Sequence, residues 1–121
     1  MNTWRSWSIA TMAACAAACG GYTVPAQHVT GAQTAIAAAR GGGAAADPQA
    51  NLHLKLAEEQ FSSARGMMKS GDDKKADLLL LRSQADAQLA QSLAQKQTAT
   101  AETQKTVDQI RLLIEQSSPR Q

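Results

Sequence analysis

The chain has 121 residues, is 44% hydrophobic but only 3% aromatic, and carries a formal net charge of +2 at pH 7. That length allows one domain at most. Because 25 of the apolar residues are alanine, the bulky core of a β-sandwich or an α/β enzyme is out of reach. The near-balanced charge removes the electrostatic case for a nucleic-acid partner, and the Ala-, Gln-, Leu- and Lys-rich composition is that of a helical protein.

Residues 1–18 read as an export signal. Arg5 supplies a positive charge beside the free amine, and Ser8 to Ala18 follow without a charge and end in small residues. At about 13 uncharged residues, the segment is short of the roughly 20 that span a bilayer. Both cysteines, Cys15 and Cys19, lie at its end and none follows. A disulfide framework and a four-cysteine metal site are therefore not expected. Ala16-Ala17-Ala18-Cys19 resembles the lipobox of bacterial lipoproteins. That resemblance implies a diacylglycerol thioether on Cys19, which becomes the first residue after cleavage, with residues 19–24 as a lipidated tether. Ala16 stands where leucine is usual, and Met12-Ala13-Ala14-Cys15 is a competing lipobox. Plain secretion after cleavage near Ala18 is the third reading. Lipoproteins with Gly rather than Asp after the cysteine are generally sorted to the outer membrane, so Gly20 implies that destination, facing the periplasm. Several acyl chains make such an anchor stable where one alone is marginal.

The first helix is expected over Ala26 to Arg40. Pro25 suits a first helical turn, and Val29, Ala32, Ile36 and Ala39 form one stripe. Gly41-Gly42-Gly43 stops it. The triple glycine is read as a loop rather than a phosphate cradle, since no Gly-Lys-Ser/Thr follows and no strand precedes. Asp47-Pro48 marks the second start, with Asp as N-cap and Pro at the first helical position. Ala50, Leu54, Ala57, Phe61, Ala64 and Met68 follow at 4-3-4-3-4 spacing, with Glu58, Glu59, Arg65 and Lys69 off the stripe.

Ser70-Gly71-Asp72-Asp73 is the next boundary, with Asp72 as a candidate cap. No Pro or Gly interrupts the run from Asp72 to Ser118, a helix far above usual length. Its expected buried stripe is Leu78, Leu81, Ala85, Leu89 and Leu93, continuing as Val107, Ile110 and Ile114 after a polar, threonine-rich stretch over residues 95–106. Such a helix is roughly 65 Å long, so the second helix covers about half of it. Leu112-Leu113-Ile114 forms an apolar patch that favours a partner. The expectation is an all-α fold, an Ala-rich hairpin or three-helix unit over residues 25–94. Residues 95–121 extend the long helix and end in a frayed tail.

No constellation for chemistry emerges. His28 and His53 lie in different segments without metal-ligand spacing, so structural or exposed histidines are expected. Lys74-Lys75 interrupt any calcium loop at Asp72, Asp73 and Asp77, and capping with dipole compensation accounts for these aspartates. Glu58 and Glu59 point about 100° apart on a helix, and no nucleophile motif occurs. Neither an enzyme nor a cofactor is expected. Lys69, Lys74, Lys75 and Arg82 read as a solvated charged face, with weak contact to anionic headgroups as the lesser reading.

Ala57 to Arg65, followed by Ser70-Gly71-Asp72-Asp73-Lys74-Lys75-Ala76, resembles half of a tetratricopeptide-type hairpin, but no 34-residue period is visible. A closer resemblance is to the bacterial lipoproteins that carry domain of unknown function 4398. The shared order is a lipobox, Pro, an Ala-rich helix, a Gly/Ala turn, a Pro-started helix, Gly-Asp, and a long Leu-, Ala- and Gln-rich helix, covering about Pro25 to Ala94. Some members continue into an OmpA-like peptidoglycan-binding domain; this sequence ends at Gln121, so that activity is not expected of it. The resemblance implies a location and a fold and no chemistry.

The resulting expectation is an outer-membrane lipoprotein, anchored through Cys19, with a structural or scaffolding role and an envelope protein as partner. The alternative is a soluble periplasmic module whose Ala-rich groove holds a peptide or helix of another protein. A third reading is weak self-association as a coiled coil through Leu89, Leu93, Val107, Ile110 and Ile114.

Overall fold

The structure is a computed structural model, and it describes residues 21–117. Three α-helices follow one another: α1 (Ala26–Gly41), α2 (Pro48–Ser70) and α3 (Asp73–Ser117), with a short 3-10 turn at Ala44–Ala46 before α2. No strand occurs among the described residues. The fold is therefore the expected all-α unit with a long last helix.

Local chemistry sets the boundaries. Pro25 is the N-cap of α1, one position earlier than a first-turn proline, and Arg40 sits in the last turn. The glycines then do more than stop the helix. Gly43 adopts φ 80°, turning the chain into the 3-10 segment. Asp47 caps α2, its carboxylate accepting a hydrogen bond of 2.7 Å from the Ala50 amide, with Pro48 in the first turn. At the far end Gly71 is left-handed at φ 83°. The Asp72 amide donates to the Met67 carbonyl and the Gly71 amide to that of Met68, a hydrogen-bonded reversal that brings α3 back along α2.

α2 runs antiparallel to α3, and α1 parallel to it. Ala57 meets Ser83, and His53 and Gln60 meet Asp86, while His28 meets Asp77 and Gly31 lies against Gln84. Both shorter helices thus pack on the first half of α3 and touch each other less. The core is made of small residues. Of 14 buried apolar side chains among the described residues, 11 are alanine, and Ile36, Leu54 and Leu80 are the larger three. Val29, Phe61, Met67 and Met68 pack around its rim.

The stripes expected for α1 and α2 are the ones that face the interior: Ala32, Ile36 and Ala39 on α1, and Ala50, Leu54, Ala57 and Ala64 on α2. The expectation for α3 is corrected. Its buried face is Ala76, Asp77, Leu80, Ser83, Ala87, Ala90 and Ala94. Leu78, Leu81, Ala85 and Leu89 are exposed, and Leu93 is half-buried. Alanine-lined helices approach so closely that the opposing face must also be small. The hydroxyl of Ser83 fits there because it donates a 2.7 Å hydrogen bond to the Ala57 carbonyl.

Beyond Ala94 the helix continues to Ser117 with every residue exposed. Its threonines compensate locally. The hydroxyls of Thr98, Thr100, Thr103 and Thr106 donate to the carbonyls of Ala94, Lys96, Ala99 and Glu102. Each polar side chain is thereby satisfied within its own helix.

Candidate functional site

Two aspartates on α3 organise the polar interior. Asp77 and Asp86 are nine residues apart, which at 100° per residue sets them on opposite sides of the helix. Asp77 accordingly faces α1, and Asp86 faces α2.

Asp77 is only 9% exposed. Its Oδ2 accepts a hydrogen bond from the Tyr22 hydroxyl at 2.5 Å, and its Oδ1 lies 2.5 Å from Nδ1 of His28. The expectation that Asp77 serves the helix dipole as a surface charge is thus overturned: its carboxylate ties the chain entering α1 to the start of α3. Asp72 and Asp73 remain at the helix start as expected. The Asp72 carbonyl accepts from the Ala76 amide, and its carboxylate lies 3.9 Å from the Lys75 ammonium.

The Tyr22 hydrogen bond, followed by that of His28, holds the Asp77 carboxyl below its ordinary 3.8, while desolvation opposes the shift. The same bond raises the Tyr22 phenol above its ordinary 10.0. A carboxyl whose pKa is lower in the folded than in the unfolded state contributes stability that is complete above the unfolded value. That stability is lost as the pH falls through the folded one. Asp77→Asn is therefore expected to lower the Tm at neutral pH, and the gap from the wild type to close progressively below about pH 4. Thermal unfolding followed by circular dichroism across that range checks this; a pH-independent gap would contradict it.

Asp86 makes the second bridge. Its Oδ1 is 3.1 Å from Nδ1 of His53, and its Oδ2 accepts from the Gln60 amide at 2.8 Å. Gln60 Oε1 is buried with no hydrogen-bond partner among the described residues. Each histidine is thus paired with one aspartate of α3, the structural role expected of both. No group of three or more metal-binding side chains occurs among the described residues.

Arg40 and Glu58 form a third polar link, between α1 and α2. Nε and Nη2 of Arg40 both lie 2.8 Å from Glu58 Oε1. The pair sits at one side of an open groove of about 290 Å³ lined by Gln33, Ile36, Ala37 and Phe61. Sequence reasoning placed Glu58 in solvent and missed this contact. Glu59 is exposed. Lys69, Lys74, Lys75 and Arg82 are exposed as expected, but with Asp77 turned inward their surroundings carry one acidic group fewer. Cys15 and Cys19 lie outside the described residues.

The geometry defines a small-residue three-helix domain whose polar side chains tie helix to helix. The family profile described as domain of unknown function DUF4398 matches residues 27–106, and the chain belongs to that family. The match runs past Ala94 into the exposed part of α3. No curated protein and no solved structure matches the chain.

Proposed function

We propose that this chain is a lipoprotein of the bacterial outer membrane, processed before Cys19, acylated there, and serving a structural or scaffolding role toward an envelope partner. The observation that carries this reading is the junction between tether and domain. The uncharged run and lipobox-like residues end at Cys19. Three residues later Tyr22 is hydrogen-bonded to Asp77. A cysteine-linked lipid is then at most about 10 Å of extended chain from a pinned residue, so the domain sits against the bilayer surface. No described helix is long and apolar enough to cross a membrane.

Mass spectrometry of the protein purified from cells tests the anchor. Cys19 is expected as the first residue, carrying a diacylglyceryl group and an amide-linked acyl chain. An unmodified cysteine, or cleavage beyond it, would overturn the reading. Globomycin should block processing, and the processed protein should partition into detergent. The second reading is a soluble periplasmic binding module, and what favours it is the open groove over Phe61 between α1 and α2. Partition into the aqueous phase with insensitivity to globomycin would select it.

A further inference from the structure

The face of α3 turned away from α1 and α2 carries Leu78, Leu81, Ala85, Leu89, Val107 and Ile110. At 100° per residue these lie roughly opposite the buried Leu80, Ser83 and Ala87. The five larger side chains are 42–63% exposed. A second ridge runs beside them on α2. Leu52 and Leu56 precede Gln60 at four-residue spacing, and Gln60 touches Asp86 of α3, so this ridge flanks the same face. Leu52 and Leu56 are themselves exposed. Together these side chains leave several hundred Å² uncovered, approaching the ~800 Å² that each partner brings to a standard protein–protein interface.

We propose that this face binds a second copy of the same chain, with the two α3 helices antiparallel and crossing near residue 98. Three features select that arrangement. First, the apolar positions fall in two blocks, Leu78 to Leu89 and Val107 to Ile110, either side of Lys96, Thr100 and Thr103. Antiparallel pairing lays each block on the opposite block of the other copy: Leu89 meets Val107 and Ala85 meets Ile110. In-register parallel pairing would instead set Lys96 directly against its own copy, a like-charge contact at the seam. Second, the flanks are complementary in charge. On the edge next to α2, Arg82 falls opposite Glu115 of the second copy, a pair that forms twice by symmetry. Third, α1 and α2 cover α3 only as far as Ala94. The exposed half of each α3 therefore lies along the free face of the other copy's folded half, and the two folded halves do not collide.

Oxidative crosslinking of the full chain in intact cells, with copper–phenanthroline and a non-reducing gel, tests the arrangement. Leu89→Cys and Val107→Cys in one chain are about 27 Å apart along α3, far beyond the Cβ separation of about 4 Å that a disulfide spans. They can therefore bridge only between copies. The double variant is expected to give a dimer, and so is coexpression of the two single variants. Each single variant alone should stay at the wild-type level, a reference that includes any contribution of Cys15 and Cys19. A monomeric double variant, or strong crosslinking of either single variant alone, would overturn the proposal. In the double-cysteine background Glu115→Arg should lower the dimer yield on the order of tenfold, because two exposed ion pairs become two repulsions. Adding Arg82→Glu should restore it. Both positions are exposed, so folding is not at stake. An unchanged yield with Glu115→Arg would refute the antiparallel register.

Discussion

Leu80→Ala is expected to destabilise the domain by about 3 kcal/mol, near the middle of the range for leucine truncation in rigid cores. Leu80 is fully buried on α3. Its buried neighbours are Ala32, Ala64 and Ala76, with Phe61, Met67, Met68 and Leu79 at the rim. The buried alanines have no side chain to rotate into the hole, so relaxation is left to the rim residues Phe61, Met67 and Met68. The lost transfer energy is therefore joined by part of the cavity term. Urea denaturation followed by circular dichroism measures this, with Leu112→Ala as the control. Leu112 is exposed, and its truncation should stay within about 0.5 kcal/mol. Equal effects of the two would show that the interior is not packed as described.

Ala57→Leu should be at least as damaging, at about 3 kcal/mol or more, by the opposite mechanism of overpacking. Ala57 is fully buried, and its carbonyl accepts the hydrogen bond of Ser83. A larger side chain there wedges α2 from α3, breaks that bond and strains the neighbouring His53–Asp86–Gln60 bridge. Ala57→Gly, which adds no volume, should cost roughly 2 kcal/mol, from helix propensity and the lost buried methyl. The three unfolding midpoints should rank wild type above Ala57→Gly above Ala57→Leu. Any other order would contradict close approach at this point.

Those two residues also explain which parts of the fold were legible in the sequence. Caps and stops are local, so Asp47-Pro48 and Gly71 could be read directly, as could the stripe on α2. The buried face of α3 could not. Hydrophobic patterning ranks leucine above alanine, and it favours Leu78, Leu81 and Leu89. The structure buries Ala76, Ala87 and Ala90 because α1 and α2 present alanine in turn. Fit to the partner helices decided the matter, and a single helix's pattern does not contain its partners. The Tyr22–Asp77–His28 tie was hidden for a related reason, since its members are 49 and 55 positions apart and no spacing rule connects them. One signal was present: Ala76, Leu80, Ser83, Ala87, Ala90 and Ala94 keep 4-3-4-3-4 spacing, which places Asp77 at the edge of a buried stripe, where an acid needs partners.

The tie has a consequence for posture. Under the acylation proposed at Cys19, a single chain would be held by one end, the Asp77 end of α3, with the exposed helical half extending from it like a mast. In the antiparallel pair the two Asp77 residues lie about 63 Å apart along the shared axis, each beside its own tether. Two lipids at opposite ends would pull the rod down along the leaflet like a moored beam. The same chain would thus stand when sparse and lie flat when crowded, with surface density in the membrane as the variable that turns it.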